Sequence, residues 1–165
     1  MADAPAKIVG DEIAKQSKVQ SDACETFKLP RTLIGGTTAM RRAAEDYLPK
    51  EEGETNEGYV KRVRRSTLFN AFRKTVSDMT GKVFQRPVVL EDDVPADIVQ
   101  YAENIDLAGR HINVFAKDVF YDGLQTGINY ILVDMPPAVQ KADGSAPTVA
   151  DEQGRRPYFV HITAE

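Results

Sequence analysis

Tryptophan is absent from this sequence, cysteine occurs once and histidine twice. A lone Cys24 excludes a disulfide scaffold, and with His111 and His161 alone beside it a zinc centre has too few soft ligands. Long apolar runs are missing too. No stretch approaches the roughly 20 residues of a membrane-spanning helix, and residues 4–19 are too polar for a secretory leader. Phosphate-binding glycine loops, the GxSxG elbow and the HExxH zinc pair are likewise absent. Cys24 has no histidine nearby in sequence to activate its thiol. His111 precedes a helical stretch, where a charged or capping role is ordinary. His161 alternates with apolar neighbours in a strand pattern, which is a surface or satisfied core position. The adjacent acids Asp92 and Asp93, just before Pro95, read as solvated loop residues rather than a cation site. A catalytic centre, a metal site and a cofactor site are therefore not expected.

What is present suits one soluble domain. The chain has 165 residues, 42% of them hydrophobic and 28% charged, enough to bury a core. Its net charge of −4 excludes a uniformly basic nucleic-acid binder but conceals a segregation. Residues 59–86 carry eight basic side chains against Asp78, a net +7. Residues 87–122 carry eight acids against Arg110 and Lys117, a net −6. Adjacent blocks of opposite sign are expected to neutralise each other, within one subunit or between neighbours. The basic cluster 61–65 has a second reading, as a nucleic-acid-binding module laying the basic helix 59–86 on phosphates. Aromatic side chains are not interleaved on its basic side, so a base-stacking platform is not expected.

Periodicity predicts a mainly helical α+β chain with a small antiparallel β element near its C-terminus. Residues 1–37 read as a flexible arm, ending in Gly35-Gly36. Thr38 is the expected N-cap of a short helix over 38–48, stopped by Pro49. An acidic loop over 50–58 precedes the main element, a long helix from 55 or 59 to 80 with Gly81 as its terminator. Its apolar stripe is discontinuous: Tyr59, Val60 and Val63 share one side, whereas Leu68, Phe69, Phe72, Val76 and Met79 share another. The stripe turns by about half a revolution near Ser66-Thr67. A break there, or different packing partners along the two halves, is expected. Residues 82–90 read as an edge strand holding Pro87. Pro95 opens a helix to 104 with Ile98, Tyr101, Ala102 and Ile105 buried. A further helix over 111–126 has a stripe of Ile112, Phe115, Ala116, Val119 and Phe120. Gly127 ends it. An apolar, central strand is expected over 128–134, then a mobile loop over 137–156 and an antiparallel strand over 158–163. Two strands make a poor sheet by themselves, so the domain is expected to continue past Glu165.

The order of short motifs adds a resemblance. Tyr47-Leu48-Pro49, Glu54, Tyr59-x-x-Arg62 and Ser66-Thr67-Leu68-Phe69-Asn70 come first. Gly81-x-Val83-Phe84-x-x-Pro87, Ile105-Asp106-x-x-Gly109 and Phe115-Ala116 follow. Leu124-x-x-Gly127-x-x-Tyr130-Ile131-Leu132-Val133-Asp134-x-Pro136 and Arg156-Pro157-Tyr158 close the run. Together, over residues 38–165, they resemble the N-terminal part of the portal (head-to-tail connector) proteins of tailed phages and prophages.

The resemblance implies a structural role. Portal proteins form a ring, usually dodecameric, at one capsid vertex. A separate terminase motor drives double-stranded DNA through it, and head-completion and tail proteins dock on it alongside capsid and scaffold. It further implies that residues 38–165 begin an incomplete wing-type domain. The stem helices that line the DNA channel would then lie beyond Glu165. Catalytic residues, cofactors and membrane contact are not implied. The expected location is the virion, after assembly in the bacterial host cytoplasm. A ring is built from head-to-tail contacts between unlike faces, which gives the charge segregation a use. Arg62 and Arg65 are the expected interface residues on the basic side, Asp92 and Asp93 on the acidic side. A third reading, an enzyme fragment with its catalytic residues downstream of Glu165, would require a nucleophile, metal or phosphate motif there.

Overall fold

The computed structural model describes residue 15 and residues 17–138, 147–148 and 154–164. These are mainly helical, with five α-helices and one two-stranded antiparallel sheet, as the periodicity predicts.

Helix α1 spans Lys18–Ala43. Ser17 caps it by accepting a hydrogen bond from the Gln20 N–H at 3.2 Å, which satisfies one of the unpaired donors of the first turn. This corrects the expectation of an arm over 1–37, because its residues from Lys18 onward are helical, and it moves the helix start well before Thr38. Pro30 and the Gly35-Gly36 pair read as breakers, yet the helix carries them. Burial of Phe27 and Met40 offsets the hydrogen bond lost at Pro30. The breaking tendency survives at a single residue: Gly36 has φ 70° and ψ −156°, a conformation open to glycine, and α1 kinks there. Ala44–Asp46 form one 3-10 turn. Pro49 follows.

The expected long helix is two helices, α2 over Asn56–Arg65 and α3 over Ala71–Val83. The break falls where the apolar stripe turns, because a straight helix cannot present opposite sides to one core. Gly81 lies inside α3, and the chain leaves that helix at Phe84 instead. Val76 and Thr80 face inward on α3, Thr80 at 1% exposure with its hydroxyl on the Val76 carbonyl at 2.8 Å. The side-chain hydrogen bond makes a polar residue acceptable in that position.

The edge strand expected over 82–90 does not form. Beyond Val83 the chain is turn and irregular backbone, held where the Val88 N–H donates to Asn113 Oδ1 at 2.6 Å. Helix α4 covers Ala96–Ala102 and opens behind Pro95. Of its expected buried face Ala102 is buried, as is the following Ile105, whereas Ile98 is exposed. Helix α5 covers Ile112–Thr126 and ends at Gly127, whose φ of 79° is the left-handed cap.

Strands β1 (Asn129–Asp134) and β2 (Tyr158–Thr163) pair antiparallel, with Ile131 opposite His161. The loop expected over 137–156 lies largely outside the described residues. Helices α1, α3 and α5 pack on one another, and the hairpin lies against α5. There Phe115, 2% exposed, meets the rings of Phe159 and His161. Strand β1 is not central. Among the described residues its only neighbour is β2, and Tyr130, Leu132 and Val133 are about half exposed.

Candidate subunit interface

Helix α2 carries the densest basic charge, and its geometry divides those residues by role. Thr55 caps it, accepting from the Gly58 N–H at 3.1 Å. Two turns later the Arg62 guanidinium reaches back over the acidic loop. Its Nε donates to Glu54 Oε1 at 3.0 Å, and its Nη2 donates to Glu54 Oε2 at 2.9 Å and to the Pro49 carbonyl at 2.8 Å. The Tyr59 ring lies 5.3 Å below the same group. This fork-on-carboxylate arrangement is the strong form of the ion pair. The hydrogen bond from Arg62 holds the Glu54 carboxyl below its ordinary range, and Glu54 in turn raises the guanidinium's value. Arg62, expected at a subunit contact, is thus engaged inside the subunit as the clasp between loop and helix.

Arg65 is different. It is exposed and lines a shallow groove with Gly58, Lys61 and Ser66. Among the described residues it makes no ion pair, and the same holds for Arg64 and Arg73, whereas Lys61 pairs with Glu57 at 2.6 Å.

The acidic block divides in the same way. Asp106 is 5% exposed and closes a tight clasp around residues 106–110. It accepts from the Ala108 N–H at 2.9 Å, the Arg110 N–H at 3.1 Å and Arg110 Nε at 2.5 Å. Burial pushes this carboxyl up, but the hydrogen bonds from Arg110 and Ala108 outweigh it and hold the pKa down to about 2. The clasp steadies Ile105, whose N–H donates to the Arg110 carbonyl and whose carbonyl accepts from Phe159 of β2 at 2.9 Å. Arg156 reaches the same loop from the other side, donating to the Asn104 carbonyl and covering the Tyr101 ring.

Asp92 and Asp93 take no part in this network. Both are exposed, on the turn where the Val94 N–H donates to the Glu91 carbonyl at 3.2 Å. Asp92 helps line an open groove of about 490 Å³ with Val88, Val94, Val99 and Ile112. Among the described residues neither acid makes an ion pair, and no ion pair joins the basic block to the acidic one. Each block is neutralised locally where it is neutralised at all. Among the described residues without an ion pair are Arg64, Arg65 and Arg73 on one side and Asp92 and Asp93 on the other.

The remaining chemistry-bearing side chains hold the structure together. His111 caps α5, its Nδ1 accepting from the Asn113 N–H at 3.0 Å, the capping role expected of it. His161 faces Asp122 across 3.6 Å between β2 and α5. Periodicity places Asp122 on α5 but gives no reason to bury it; its partner is contributed by a strand nearly 40 residues away. Among the described residues no cluster of three His, Cys, Asp or Glu side chains is spaced to hold a metal ion, and no helix is long and apolar enough to cross a membrane.

The second feature that sequence reasoning missed is Phe69. Helical spacing puts it on the apolar side of a continuous helix. In the structure it sits in the break between α2 and α3 and is 90% exposed. The break itself is well held. Arg41 Nε donates to the Ser66 carbonyl at 2.9 Å, the Leu68 N–H donates to Thr37 Oγ1 at 3.1 Å, and Asn70 Nδ2 donates to the Leu33 carbonyl. Asn70 also caps α3 through the Arg73 N–H at 2.9 Å. A run of polar residues with capping ability (Ser66, Thr67, Asn70) is the signal that marks the break in the sequence. No protein-family model matches this chain, and a search of curated proteins finds no match to it.

Proposed function

We propose that this chain is the beginning of the wing domain of a phage portal protein, a structural subunit of the ring at the capsid vertex. The ordered run of motifs over residues 38–165 supports the family, and the unpaired charges support the assembly. Arg65, Asp92 and Asp93 are exposed and without ion pairs among the described residues, although the sequence concentrates opposite charge in adjacent blocks. A head-to-tail ring brings unlike faces together, and these residues suit one pairing between neighbours. The half-exposed hairpin agrees with a sheet that gains further strands in the complete wing. On this reading the chain has no catalytic step of its own. Its partners are further copies of itself, the terminase motor, capsid or scaffold, and head-completion proteins. DNA passes through the channel chiefly against other parts of the subunit. The location is the virion, after assembly in the host cytoplasm.

Mass photometry of the full-length gene product, with negative-stain images of the same sample, tests this. A ring of about a dozen copies with a central hole is the expected result. A stable monomer or dimer across salt and concentration would overturn it. Steeply salt-dependent binding of DNA by residues 38–165 alone would then favour the nucleic-acid-binding module.

A further inference from the structure

An exposed phenylalanine in a mobile loop has little meaning, but Phe69 is not in one. Residues 66–70 are fastened to α1 at Thr37, Arg41 and Leu33, and Asn70 binds forward into α3. The fastening leaves the ring at 90% exposure on a backbone with little freedom left to lose. A pre-ordered aromatic side chain is the form that interface anchors take, since ordering costs are met before association. Arg65 and Arg73 stand exposed within four residues on either side, without ion pairs among the described residues. The local surface is thus one apolar knob set in positive charge.

The same chain carries a groove of opposite charge. The groove lined by Val88, Val94, Val99 and Ile112 has a volume of about 490 Å³ and is mixed in character, with Glu91, Asp92, Glu103 and His111 sharing its lining. Phe69 does not fill it within its own subunit. The knob precedes α3 and the groove segment follows it, with the 13 residues of that helix, about 20 Å long, between them in the chain. A knob at one end and a socket at the other is a head-to-tail arrangement, which closes only between copies.

We propose that Phe69 of one copy docks in the groove of the next, between Val94 and Val99, with Arg65 facing Asp92. The inference rests on the ring reading for its partner, a second copy of this chain, and adds the contact that orients it. Charge complementarity selects this occupant: an aromatic group flanked by arginines meets a groove that carries both acids and aliphatic side chains, and like faces would repel.

The test uses the full-length gene product with a photoreactive phenylalanine analogue at position 69. Unlabelled and nitrogen-15-labelled copies are mixed before assembly, and crosslinked peptides are identified by mass spectrometry. Crosslinks from position 69 to residues 88–103 of a differently labelled copy are expected. Phe69→Ser, at an exposed site, is expected to weaken self-association at least about tenfold, with its circular dichroism unchanged. Val99→Asp, also at an exposed position, should weaken it from the socket side. If rings form but position 69 crosslinks elsewhere, or Phe69→Ser assembles normally, the knob-and-groove contact is wrong and the ring stands. If no copies associate at any concentration, the ring reading falls with it.

Discussion

Replacing Asp106 by asparagine tests whether the clasp over residues 106–110 contributes what its geometry implies. The native carboxyl is shielded, accepts three hydrogen bonds and has its pKa held at about 2, against an ordinary 3.8. A carboxyl depressed in the folded state stabilises that state above its unfolded pKa, and this stability is lost as pH falls through the folded value. The difference between 3.8 and 2, at 1.36 kcal/mol per unit, corresponds to about 2 kcal/mol at neutral pH. Asp106→Asn keeps the shape and removes the charge, so it is expected to lose about that much at pH 7. By pH 2 the native carboxyl is itself about half protonated, and the gap should shrink to a few tenths of a kcal/mol. Urea unfolding of both proteins between pH 7 and pH 2 reads this directly, because other carboxylates titrate equally in the two and cancel in the difference. A gap that stays constant with pH would show that Asp106 acts by shape alone and would refute the argument.

Other contacts in the structure carry further expected outcomes. Arg62→Ala should lower the melting temperature, because Glu54 and the Pro49 carbonyl lose their donor, while Arg65→Ala should leave it unchanged. Equal effects in thermal unfolding would contradict the division of roles between them. Phe115→Ala removes the ring that Phe159 and His161 cover and should cost about 3–5 kcal/mol in chemical denaturation. A loss below about 1 kcal/mol would mean that the hairpin does not pack there as described. Gly127→Ala forces a side chain onto a φ of 79° and should cost about 1 kcal/mol in the same assay. An unchanged midpoint would rule out the left-handed cap.

The parts of the fold legible in the sequence are those in which local and tertiary preferences agree. Helix α5 has its cap at His111, its stripe around Phe115 and its terminator at Gly127, and each behaves as composition indicates. Both strands fall within a residue of their expected bounds. Helix α1 was illegible because its stability is not local. Pro30, Gly35 and Gly36 all argue against a helix, whereas the burial of Phe27 and Met40, the bonds to residues 66–70 at Leu33, Thr37 and Arg41 and the bond from Arg31 to the Ala164 carbonyl at 2.6 Å argue for it. Those bonds come from sequence positions 25 to 133 residues distant. The break between α2 and α3 was half legible, as a rotation of the apolar stripe whose cause needed the third dimension. At the candidate interface, charge segregation is plain in the sequence, but the separation of Arg62 from Arg65 is not. Whether a guanidinium is engaged depends on where an acidic loop folds back, and the distance from Glu54 to Arg62 in sequence does not reveal it.

The antiparallel pairing of β1 with β2 brings together the two ends of the connection between Asp134 and Tyr158. Compared with a two-residue turn, closing so long a span costs roughly 2 kcal/mol of additional chain entropy, from the logarithmic dependence on length. Two contacts at its mouth work against that cost. The Tyr158 hydroxyl donates to Asp134 Oδ2 at 3.0 Å, and Arg155 Nε donates to the Pro136 carbonyl at 2.7 Å. The sheet register is consequently decided where the loop begins and ends, by its anchoring residues and by Phe115 beneath them.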